Sequence, residues 1–124
     1  MELVMSDMNK TWVLDLDGTI VKHNGYKDEG YDSLLPGARD LLGQIADDDM
    51  VIFVTSRKYS ECGKMTEDFL ADNNIRYDHI IYEAPYGERI LINDNKPSGL
   101  KMAYAIASSR DEVPDISVTI DKHI

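Results

Sequence analysis

The chain has 124 residues, 43% of them hydrophobic, and a formal charge of −10 from 23 acidic and 13 basic side chains. That length and composition exclude a disordered polymer and predict one domain, 1–124, with a single core over about 10–110. The charge argues against binding a nucleic-acid backbone.

In chain order, "MELVMSDMNK" lacks the basic start and apolar run of a signal peptide, and no stretch approaches the ~18 apolar residues needed to span a bilayer. With Cys62 as the only cysteine, and therefore no internal disulfide, the chain reads as cytoplasmic with no membrane partner. "TWVLD" (11–15) is a short apolar run before a turn and predicts a strand. Residues 18–35 hold three glycines and scattered charges and read as an irregular excursion, with 20–33 as a flap. "PGARDLLGQIADDDM" (36–50) predicts a helix, with Pro36 in its first turn and the Asp47, Asp48, Asp49 run as its solvated end.

"MVIFVTS" (50–56) reads as a strand buried on both faces of a parallel sheet. Residues 60–73 predict a second helix with Ser60 as N-cap and Met65, Phe69 and Leu70 facing inward. "YDHIIYEA" and "RILIND" predict two further strands, whereas "GLKMAYAIASSR" suits a helix or a strand. The tail from Asp111 is set apart as an edge strand or a subunit contact. Strands alternating with helices predict an α/β, three-layer Rossmann-like domain with a parallel central sheet.

Ligands of such sheets bind beyond the carboxyl ends of the strands. There stand Asp15 and Asp17, then Thr55, Ser56 and Arg57, then Asn93, Asp94 and Lys96. Two carboxylates one residue apart repel and resist burial unless a cation lies between them. Hard oxygen donors without soft ones suit Mg²⁺, and carboxylate-held metal beside hydroxyls and Lys/Arg donors suits a phosphoryl group in transfer. A calcium loop starting at Asp15 fails, because Ile20 and Tyr26 stand where Gly and Glu are required. His23, His79 and His123 are too scattered to form a metal site.

"DLDGT" after an apolar strand, "VIFVTSR" and "LIND" resemble, in order, motifs I, II and IV of the haloacid dehalogenase superfamily of phosphatases. With their flanking helices they span roughly 11–99. The resemblance implies Asp15 as nucleophile, Asp17 as general acid and base, and Thr55 on a phosphoryl oxygen, with Gly18 turning the chain close to the phosphate. It implies substrate contacts from Gly18, Thr55, Ser56 and Arg57. It also implies Mg²⁺ held by Asp15, Asp94 and the backbone carbonyl of Asp17. A motif III cation is expected from Lys96, with Arg89 and Lys64 as alternatives.

No stretch long enough for a cap domain is present. The chain is most similar to very small capless members, some of which occur with capsule or surface-polysaccharide synthesis. That similarity implies a phosphorylated small molecule such as a sugar phosphate, or a phosphorylated macromolecule, as substrate, and a homo-oligomer that closes the open site. Two other classes compete: a catalytically degenerate binding or oligomerisation module, and a receiver-like phospho-acceptor domain. The second needs an acceptor Asp on a central strand, where this chain has Thr55.

Overall fold

The computed structural model describes all 124 residues, as a mixed α/β chain whose strands pair in parallel within two open sheets. The larger sheet runs β2 (Thr11–Asp15), β3 (Met50–Val54), β4 (His79–Ile81), in that spatial order. β1 (Glu2–Met5) pairs in parallel with β5 (Ser117–Ile120) as a separate ribbon. This arrangement is compatible with a Rossmann-like fold. No helix is long and apolar enough to cross a membrane.

β2 coincides with the strand expected from "TWVLD", and its register against β3 sets Leu14 opposite Phe53 and Asp15 opposite Val54. Parallel neighbours need a crossover, and α3 (Tyr59–Asp72) supplies the one from β3 to β4. Phe53 is fully buried, and its ring meets Tyr77 edge-to-face at 6.5 Å. α3 begins one residue earlier than expected, so Lys58 is the N-cap and Ser60 lies in the first turn. Leu70 faces inward as expected and Phe69 packs beside it, but the stripe is completed by Cys62 and Thr66, four residues apart, and Met65 stays half-buried outside the core cluster.

Four expectations are corrected. The helix expected over 36–50 shrinks to α2 (Ala38–Leu42), because Gly43 follows and the next amides bond three residues back in turns. The acidic run that follows is not uniformly solvated. Asp49 is 5% exposed and accepts hydrogen bonds from the Lys10 and Ala46 amides and from Trp12 Nε1, tying this turn to the start of β2.

The third concerns "RILIND", which forms no strand, with Ile90 84% and Ile92 90% exposed. A strand needs an edge to pair with, and no backbone hydrogen bond joins residues 89–94 to another segment. Likewise 100–108 is neither helix nor strand. The exposed stretch helps explain an accessible surface of 8277 Å², against about 6,700 Å² for a compact chain of this mass. Fourth, the tail does form an edge strand, β5, but it is not set apart from the core: Ile116 is buried there and β5 pairs with β1, a strand that sequence periodicity missed. Residues 18–35 include one short helix, α1 (Gly25–Asp28), anchored where Val21 bridges both Asp17 and Leu34.

Candidate active site

The carboxyl ends of β2 and β3 open into a cleft of about 530 Å³. Asp15, Asp17, Gly18 and Thr19 form one wall, and Ser56, Arg57 and Lys58 another. The flap contributes His23, Tyr26 and Lys27, and the distant chain contributes Tyr86, Arg89 and Arg110. Three carboxylates (Asp15, Asp17, Glu61) face five cations (Lys27, Arg57, Lys58, Arg89, Arg110). Asp32 adds a fourth carboxylate behind Arg57, so the charges nearly balance. Lys27, Lys58 and Arg110, however, have no carboxylate bridged to them and are open to an anionic ligand in a chain of net charge −10.

The loop after β2 is wound around one carbonyl: the amides of Thr19, Ile20 and Val21 all donate to Leu16 O. Gly18 sits at φ +80, where an L side chain is strained, and its carbonyl accepts from the Asp111 amide at 2.8 Å. This winding returns Thr19 to Asp15, and the hydroxyl donates to Asp15 Oδ2 at 3.0 Å. Arg89 Nη1 donates to Oδ1 at 2.8 Å across 74 residues of sequence. Asp15 is thus held at both oxygens while its side chain stays 37% exposed.

Asp17 faces a different partner. Arg57 donates to both of its oxygens, from Nε at 3.0 Å and from Nη2 at 2.7 Å. Burial disfavours the Arg57 charge, but hydrogen bonds and attraction from Asp32 and Asp17 outweigh it and raise the guanidinium above its ordinary value. Tyr26 of the flap lies over the guanidinium, 4.2 Å from ring centroid to Cζ. Burial, with the Cys62 thiol next in weight, pushes the Tyr26 hydroxyl up to about 12.

Of the residues singled out in the sequence, Asp15, Asp17, Gly18, Ser56 and Arg57 meet at the cleft. Thr55 is 1% exposed and does not line it, its hydroxyl accepting from the Arg57 amide at 3.2 Å. Asp94 and Lys96 lie on the exposed segment outside the cleft, because the strand meant to carry them to the rim is absent. Among the three cations considered for motif III, Lys64 pairs with Asp68 on the surface of α3, and only Arg89 reaches Asp15. Asp32 carries no signal in the sequence. It stands among flap charges, and no local pattern marks a carboxylate whose partner lies 25 residues onward.

As folded, this donor set does not fit Mg²⁺. Of the expected ligands, Asp94 lies outside the cleft and both Asp15 oxygens are engaged by Thr19 and Arg89, and no cluster of three acidic, His or Cys side chains gathers there to hold a cation. Family models, curated proteins and solved structures give no match to this chain.

Proposed function

We propose that the protein is a phosphomonoester hydrolase of the haloacid dehalogenase type, a capless three-layer domain that works through an aspartyl-phosphate on Asp15. The observation carrying this reading is Asp15 itself: a half-exposed carboxylate at the end of a parallel strand, braced by Thr19 and facing Arg89 in a cation-lined cleft. The order of "DLDGT", "VIFVTSR" and "LIND" supports the same assignment.

In the first half-reaction an Asp15 oxygen attacks phosphorus and forms the acyl-phosphate bond while the phosphorus–alkoxide bond breaks. Asp17 enters the step protonated, gives that proton to the departing alkoxide and is left as the carboxylate that Arg57 holds. In the second, water attacks the same phosphorus and gives its proton to Asp17, releasing inorganic phosphate and restoring the Asp15 carboxylate. Arg89, Lys58 and Arg110 lower the cost of bringing a dianion against Asp15, a role for which preset charges are suited. Substrate oxygens compete with Asp15 for Arg89, so binding transfers the guanidinium from carboxylate to phosphate.

The open cleft supports a phosphorylated small molecule or the phosphorylated tip of a larger one, in a cytoplasmic and self-associating protein. The placement of Asp94 and Lys96 outside the cleft favours a second reading, a catalytically silent anion-binding module. Release of p-nitrophenol from its phosphate separates the two. Wild type is expected to turn over, and Asp15→Asn to lose roughly three orders of magnitude or more in kcat. Running both with added Mg²⁺ and with EDTA establishes the metal requirement. A folded wild type that releases nothing under either condition would leave the binding module.

A further inference from the structure

Arg57 has no hydrogen-bonding capacity left for a substrate. A guanidinium carries five N–H donors, and all five are engaged. Two go to Asp17, and two go to Asp32, from Nη1 at 2.9 Å and Nη2 at 2.8 Å. The fifth, from Nη1, goes to Thr66 Oγ1 on α3 at 2.9 Å. The Arg57 and Asp32 side chains are 1% and 2% exposed, while that of Asp17 is 20% exposed at the cleft wall. Asp32 and Tyr26 both belong to the flap, so one segment supplies a carboxylate to the guanidinium's edge and an aromatic ring to its face.

From this geometry we infer that Arg57 and Asp32 form a clamp that holds the flap, 20–33, against β3 and α3 and thereby positions Asp17. Arg57 is then a positioning residue, correcting the expectation that it contacts substrate. The bidentate fork fixes both the plane and the distance of the Asp17 carboxylate, which a lysine point charge does not. Asp32 in turn fixes the fork, and the flap closes over an ion cluster that loses most of its compensation if either partner is removed. The catalytic half of this inference rests on the phosphatase reading; the structural half does not.

The test uses Asp32→Asn, with Arg57→Lys as the second variant, in the full chain after thermal melting has shown each to be folded at the assay temperature. Trypsin reports on the flap, because Lys27 is exposed within it. Release of the clamp is expected to speed cleavage after Lys27 by about tenfold. In the same proteins kcat for p-nitrophenyl phosphate is expected to fall about tenfold, with KM within about twofold of wild type. A merely structural loss of active molecules would change the apparent enzyme concentration without exposing the flap in the folded fraction. A cleavage rate within about twofold of wild type overturns the clamp, and an unchanged kcat in a variant whose flap has been released overturns the positioning of Asp17. If wild type itself releases no phosphate, the phosphatase reading fails on its own, and the Lys27 cleavage rate alone decides the clamp.

Discussion

Replacing Asp49 by asparagine keeps the shape of the side chain and removes one acceptor oxygen and the charge. In the folded protein Oδ1 accepts from the Lys10 amide at 2.9 Å. Oδ2 accepts from Trp12 Nε1 at 2.9 Å and from the Ala46 amide at 3.3 Å. The best orientation of an asparagine keeps its oxygen toward Trp12 and Ala46 and turns its amide toward the Lys10 N–H, donor against donor. One charge-assisted bond is then lost, worth about 1.5–3 kcal/mol, and the other two weaken, so the expected cost is about 2–3 kcal/mol. Asp47 and Asp48 are exposed, and their asparagine variants are expected to stay within about 0.5 kcal/mol of wild type.

Urea unfolding followed by the fluorescence of Trp12, the only tryptophan, measures all three. The pH dependence adds a check of sign. Burial alone would raise the Asp49 carboxyl, but the hydrogen bonds from Lys10, Trp12 and Ala46 outweigh it and hold it below the ordinary value. A depressed folded value contributes stability that is full above the unfolded value, about 3.9, and is lost as pH falls through the folded one. The gap between wild type and Asp49→Asn is therefore expected to be constant near neutrality and to narrow below about pH 4. A neutral-pH difference under about 0.5 kcal/mol, or a gap that does not change in acid, would refute the assignment of Asp49 as a buried, ionised acceptor.

Two further substitutions probe the cleft. Gly18→Ala puts a side chain at φ +80 with its Cβ 3.2 Å from Arg110 Cγ, so a loss of about 1–2 kcal/mol is expected in the same unfolding assay. Stability equal to wild type would mean that the loop relaxes to another conformation. Arg89→Gln leaves a half-exposed position and is expected to change stability by less than about 0.5 kcal/mol. It should raise KM for a phosphomonoester by about tenfold through loss of a charged hydrogen bond, and an unchanged KM would remove Arg89 from substrate binding.

Local pattern was enough to place the parts of the protein whose determinants lie close together in the chain. "TWVLD" and "MVIFV" are apolar runs bounded by turn residues and are β2 and β3; the spacing of Met65, Phe69 and Leu70 places α3, although the stripe it buries is Cys62, Thr66 and Leu70. Because "DLDGT" begins on the last residue of β2, Asp15 and Asp17 at the strand end were legible too. What the sequence could not contain was the identity of the partners. "RILIND" has strand composition, yet pairing depends on an edge being offered, and here residues 89–94 meet none. The fates of Asp47, Asp48 and Asp49 diverge because donors from Lys10 and Trp12 reach only the last. Arg57 joins Asp17 and Asp32 from 40 and 25 residues away, and Arg89 meets Asp15 across 74. Residue type and spacing set secondary structure and the carboxylate pair, since those depend on neighbours within a turn or two. Tertiary structure decided which charge neutralises which, since that depends on distances in space.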